Sequence, residues 1–176
     1  MYKRQAQELG VRFFRTAAQS VDAARGVVST PAGNFHADDV VLAAGLGARD
    51  VDWARSAGLE RSPLQLRPVY GDIVRLRVPE HLQPLLNRVV RGFVEDRPVY
   101  LIPRADGTLA VGATTREDTL TTAQASGVYA LLRDAIRILP AVEECEFLEA
   151  SAGARPGTPD DLPYLCLLYT SPSPRD

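Results

Sequence analysis

Two hydrophobic rhythms divide this chain. Up to about residue 60 the apolar residues fall in short runs broken by turn residues, and beyond Pro63 they mostly alternate with polar ones. In the first part, residues 2–9 predict the last turns of a helix, closed by Gly10 just past its C-terminus. Residues 11–14, 19–23, 26–30 and 35–37 predict short strands. Pro31-Ala32-Gly33-Asn34 supplies the turn between the last two, because Gly and Asn tolerate positive φ. Residues 40–44 are apolar at every position, as in a strand covered on both faces of a parallel sheet. Residues 49–57 predict a helix ending at Gly58.

In the second part, residues 69–78 alternate from Asp72 onward, with Ile73 opposed to Val74, Leu76 and Val78, the pattern of a half-buried strand. Residues 89–94, 99–103 and 108–114 predict further strands, the last two joined by a short hairpin loop at Ala105-Asp106-Gly107. The clearest helix is 121–139. Val128, Leu131, Leu132, Ala135 and Leu139 form one apolar stripe, Thr121 or Thr122 can cap it, and Pro140 ends it. Residues 147–152 return to an extended conformation. The fold class expected is α/β plus antiparallel sheet (α+β): the edge of a layered, Rossmann-like domain followed by an antiparallel sheet with one packed helix.

Composition narrows the function classes. At 176 residues there is room for one domain or two small interlocking ones. A net charge of -2 with no basic stripe argues against nucleic acid as a partner. No apolar run approaches the ~20 residues of a membrane span, and the start MYKRQAQELG lacks the apolar region of a secretory signal. Cys145 and Cys166 are far apart, which suits a reducing, cytoplasmic compartment and offers no metal site. His36 and His81 have no partners at ligand spacing.

The stretch VVLAAGLGARD, residues 40–50, raises the question of a nucleotide cofactor. A dinucleotide fingerprint is G-x-G-x-x-G between the first strand and a helix, with an acidic residue ~20 positions later. Here Asp50 stands where the third glycine belongs, and the run follows a β-meander. The residues alone leave two readings open. Gly45 either ends a later strand and lets backbone approach a cofactor held elsewhere, or simply turns the chain.

The order of motifs then resembles the D-amino-acid oxidase family of flavoproteins. ADDVVLAAG at 37–45 is similar to its AD-x-VV-x-AAG strand, and PVYGD at 68–72 to its P-x-x-G strand start. VYLIPR at 99–104 and LAVGAT at 109–114 resemble its paired substrate-domain strands, and AGARPGTPD at 152–160 its AG-x-RPGTPD segment. The resemblance spans about residues 5–165 and is nearest to the thiamine-pathway glycine oxidases.

The resemblance implies that 1–60 belong to an FAD-binding domain, 61–152 to a substrate-binding antiparallel sheet, and 153–165 to a return into the FAD-binding domain. Residues 166–176 are set aside as an artefactual tail. It implies an FAD enzyme that oxidises the α-carbon of a small amino acid or amine, glycine first among them. Hydride would pass to flavin N5, the imine would be hydrolysed and oxygen would yield peroxide, with thiamine biosynthesis as the pathway; the cofactor carries the redox chemistry, and no catalytic protein residue is required. One alternative is a D-amino-acid dehydrogenase or sarcosine-type oxidase; another, of a different class, is a non-enzymatic α+β binding module.

The same resemblance assigns residues. Arg155 binds the substrate carboxylate through a planar guanidinium, the Tyr100 hydroxyl reaches that carboxylate, and Thr115 lines the pocket where glycine oxidases carry an apolar residue. Ala18, Ala44, Gly45 and Gly153 match positions where backbone approaches FAD. The family's G-x-G-x-x-G and G-H-x-R-x-G regions have no counterpart in these residues, so the polypeptide as written is expected to be inactive, to bind FAD weakly and to leave a strand edge at 40–44 exposed. The expected partners are a small amino-acid substrate and, in the full-length protein, a second copy.

Overall fold

The alternation beyond Pro63 becomes one five-stranded antiparallel sheet. The computed structural model describes residues 2–53 and 64–165, which fall into two units: Leu66–Gly157, and the described residues before and after it.

Leu66–Gly157 contains β4 (Arg67–Arg77), β5 (Val90–Val94), β6 (Arg97–Pro103), β7 (Thr108–Gly112), the helix α2 (Ala125–Ile138) and β8 (Glu146–Gly157). The spatial order is β5-β6-β7-β4-β8. Short connections explain the neighbours: β5 and β6 are joined through Glu95 and Asp96, both at positive φ as a tight hairpin turn requires. Alternation then gives the sheet two different faces. Register places Leu101, Val111 and Val74 in one row, all at 0% exposure. With Leu76, Val99 and Leu109 they form a core against Leu131 and Ala135 of α2. Burying each such side chain stabilises the fold by roughly 1.5–3 kcal/mol. The other face carries Val69, Gly71 and Ile73 of β4, and α2 leaves it uncovered.

The expected strands 69–78, 89–94, 99–103 and 108–114 all occur, with ends moved by a few residues. The helix starts later than its capping threonines suggested. Gln124 takes the N-cap position without a side-chain cap, because residues 118–123 wrap around Arg116, whose guanidinium donates to the Thr122 carbonyl at 3.1 Å. β8 runs unbroken through 153 to Gly157. The segment expected to return to the first domain at 153 therefore stays in the sheet, and the crossing is at Thr158.

The first unit contains α1 (Tyr2–Glu8) and a meander of β1 (Ser20–Asp22), β2 (Val27–Thr30) and β3 (Gly33–His36). Gly10 closes α1 at a φ of 84°, as anticipated. Val21, Val51 and Trp53 form a small core with Val28, Val40, Leu42 and Leu64. Two expectations fail here. Residues 11–14 join no ladder, and neither do 40–44 among the described residues. A strand exists only through hydrogen bonds to a neighbour; here Val40 and Leu42 pack on the small core while Val41 is 86% exposed. The predicted helix at 49–57 is replaced, as far as it is described, by a 3₁₀ turn over Gly45–Asp50. Residues 54–57 lie outside the described residues.

Candidate carboxylate-binding site

Arg155 lies near the end of β8, opposite Val69 of β4. Its guanidinium folds over Gly71, two residues along on the same face. A Cβ at Gly71 would run into Arg155 Nη2 and stand 2.8 Å from the Thr114 carbonyl oxygen, so only glycine leaves the guanidinium its place. Nη2 donates to the carbonyls of Thr114 at 2.8 Å and Tyr70 at 3.3 Å. Of the five N–H donors a guanidinium offers, those on Nε and Nη1 meet no acceptor among the described residues. The side chain is exposed, anchored by one nitrogen and open on the rest.

Tyr100 lies on the same uncovered face. Register pairs it with Gly112 of β7, and Gly112 in turn with Ile73 of β4. The ring lies flat across Gly112: a Cβ there would stand 2.7 Å from Cε2, Cζ and Oη alike. The hydroxyl finds no partner among the described residues. Two glycines thus seat two polar side chains on one face, with Ile73, 37% exposed, beside both. An arginine with free donors and a tyrosine with a free hydroxyl suit a small carboxylate.

Thr115 lies elsewhere. It borders a cavity of about 310 Å³ with Pro98, Val99, Ala130, Leu131 and Asp134, on the side of the sheet that α2 covers. The structure brings Arg155 and Tyr100 to one face and leaves Thr115 off it.

Behind the site is a buried ionic cluster that the sequence reading overlooked. Asp72, at 0% exposure, receives Arg116 Nη2 at 2.9 Å and Nε at 3.2 Å. Arg116 also grips Asp118, and that hydrogen bond holds the Asp118 carboxyl below the usual aspartate range. The signal was an acidic residue inside an otherwise apolar strand face, since a buried charge demands a partner.

The remaining candidates occupy backbone positions. Ala18 is exposed in the segment before β1, and Ala44 and Gly45 are exposed where the 3₁₀ turn begins, Gly45 at a φ of 56°. With neither a strand before it nor an α-helix after it among the described residues, this glycine is no dinucleotide fingerprint. Added Cβ atoms at Gly45 and Gly153 would meet nothing within 4 Å. Both leave bare backbone exposed. Among the described residues no group of three potential metal ligands exists, and no helix is long and apolar enough to cross a membrane.

Comparison with known proteins identifies the family. The family model for FAD dependent oxidoreductases (DAO) matches residues 1–169. A bifunctional ThiO/ThiG protein of Synechocystis sp. is 37% identical over 167 residues, covering 91% of this chain and 23% of that protein. The glycine oxidase of Geobacillus kaustophilus is 34% identical over 146 residues, covering 82% of this chain and 36% of its own. The crystal structure of a glycine oxidase from the same organism superposes with a TM-score of 0.64 at 32% identity, covering 87% of this chain and 39% of that one. The chain thus spans about a quarter to two fifths of the length of the relatives it matches. Its match across nearly all of its own length, together with the α+β architecture those structures share, places the chain in the DAO family of FAD-dependent oxidoreductases.

Proposed function

We propose that this chain supplies the substrate-binding sheet of an FAD-dependent amino-acid oxidase of the glycine-oxidase type, with Arg155 and Tyr100 as the carboxylate-binding pair. The observation that carries the reading is the seating of Arg155 over Gly71, with the Nε and Nη1 donors left open. A carboxylate received there fixes one end of a small amino acid, and the rest of the molecule is oriented by that anchor. Such a site suits chemistry in which the protein orients and the cofactor accepts the electrons.

Within the first unit, Ala18, Ala44 and Gly45 are the positions where backbone would meet FAD, which when bound supplies the electron-pair acceptor; Gly153 is the corresponding position within the sheet unit. Thr115 takes no part in the carboxylate contact in this reading. The proposal extends to a place in thiamine biosynthesis and to a cytoplasmic location.

The test is to load the protein with FAD and add glycine, sarcosine and D-alanine in turn, following flavin bleaching and peroxide. Bleaching with peroxide supports an oxidase, and the preferred substrate names its type. Bleaching without peroxide, with electrons passed to a quinone, would instead indicate a dehydrogenase. Glycine affinity left unchanged by Arg155→Lys would sink the reading.

A further inference from the structure

The acceptors that orient Arg155 are themselves set by a buried residue on the far side of the sheet, and we propose that Asp72 is the positioning residue of the carboxylate site. This inference rests on the role proposed above for Arg155.

Asp72 faces α2, away from the uncovered face, so it cannot touch a substrate held by Arg155. Its carboxylate accepts three hydrogen bonds: Thr114 Oγ1 at 3.0 Å, Arg116 Nε at 3.2 Å and Arg116 Nη2 at 2.9 Å. Its backbone joins in as well. The Asp72 N–H donates to Thr114 Oγ1 at 2.8 Å, and the Thr114 N–H donates to the Asp72 carbonyl at 3.3 Å. Thr114 is therefore held at its amide and at both hydrogen-bonding capacities of its hydroxyl. What remains is its carbonyl, and that carbonyl accepts Arg155 Nη2.

The second acceptor is tied to the same carboxylate. Arg116 exchanges two backbone hydrogen bonds with Tyr70, each of 2.8 Å, and the Tyr70 carbonyl is the other partner of Nη2. Arg116 cannot shift without disturbing Tyr70, and Asp72 holds Arg116. The α2 helix closes the arrangement: a Cβ on Gly127 would collide with Asp72 Oδ2, so the helix packs directly on the carboxylate and keeps it dry. Such a network, fully satisfied and away from water, is stiff. Residues that act through one another lose additivity, which separates positioning from general support of the fold.

The experiment is a double-mutant cycle in the full chain, with acetate as the carboxylate probe, read by titrating the side-chain N–H resonances of nitrogen-labelled arginine. Arg155→Lys should weaken acetate about tenfold, and Asp72→Asn by a similar factor. Thr114→Val, which removes only the hydroxyl relay and leaves the Asp72–Arg116 pair intact, should weaken it about threefold. It serves if Asp72→Asn does not fold. Neither change should weaken binding further in the Arg155→Lys background. Effects that persist undiminished in that background, or no effect in the wild-type background, would overturn the inference. If Arg155→Lys itself leaves acetate binding unchanged, the carboxylate-site reading fails. Asp72 is then judged by proton exchange at Arg155 Nη2, which positioning requires to quicken in Asp72→Asn or Thr114→Val and which otherwise stays the same.

Discussion

The guanidinium of Arg155 occupies the space that any side chain at position 71 would need. Gly71 is thus as much a part of the site as the arginine it seats. Gly71→Ala should push the guanidinium off the Thr114 carbonyl, weakening carboxylate binding about tenfold while overpacking costs roughly 1–3 kcal/mol of stability. Acetate titration beside a denaturant melt separates the two effects. Unchanged acetate affinity would show that Arg155 finds its pose without the glycine.

Tyr100 separates hydroxyl from ring. Tyr100→Phe keeps the ring over Gly112 and removes only the Oη–H, which has no partner among the described residues. Stability should stay within about 0.5 kcal/mol, and acetate affinity should fall by about tenfold or more, the size of one hydrogen bond to a charged group. Gly112→Ala, which drives a methyl group into that ring, should lower both stability and affinity. Unchanged acetate affinity in Tyr100→Phe would mean that the hydroxyl contributes nothing.

Gly127 inverts an ordinary expectation. Replacing an exposed helix glycine by alanine usually stabilises by about 1 kcal/mol. Here the new methyl group would meet the Asp72 carboxylate and stand 3.3 Å from the Thr114 methyl. Gly127→Ala should lower the melting temperature, and a rise would show that α2 can slide outward without loss.

Asp134 predicts the acid limb of the stability curve. Its side chain is 2% exposed between Arg97 Nε at 3.0 Å and Arg133 Nε at 2.8 Å. Burial pushes its carboxyl up, but hydrogen bonds from Arg133 and Arg97 outweigh this and hold it below the ordinary aspartate range. The unfolded chain therefore takes up a proton at higher pH than the folded one. Stability from this group is complete above the unfolded value of about 3.9 and is lost as pH falls through the lower folded one. Melts across this range should show Asp134→Asn to be less stable than the parent at neutral pH, with the difference narrowing in acid. A constant difference would refute the linkage.

Much of the second unit was legible because its signals are local. Alternation at 72–78 and the stripe from Val128 to Leu139 each report a single face, and both faces exist. The RPGT and P-x-x-G motifs pointed to Arg155 and Gly71 separately; that one seats the other became visible only once register placed β4 beside β8. Asp72 escaped notice because its partners lie 42 and 44 positions away, at Thr114 and Arg116. Residues 40–44 were misjudged for the opposite reason. Their composition suits a strand, but composition cannot supply the neighbour that makes one. Thr115 was assigned from the family resemblance; in the structure it borders the cavity beside α2, next to Arg116, which bridges back to Tyr70.

The eleven residues of β4 carry two messages in alternate letters. Asp72, Val74 and Leu76 address the core; Val69, Gly71 and Ile73 address whatever approaches the open face. Slipping the chain by a single position would exchange the two and present the anion's seat to the helix while turning the core outward. Recognition and folding therefore share one phase, and drift in sequence on either face is confined to substitutions. An insertion or deletion within this strand would abolish both together.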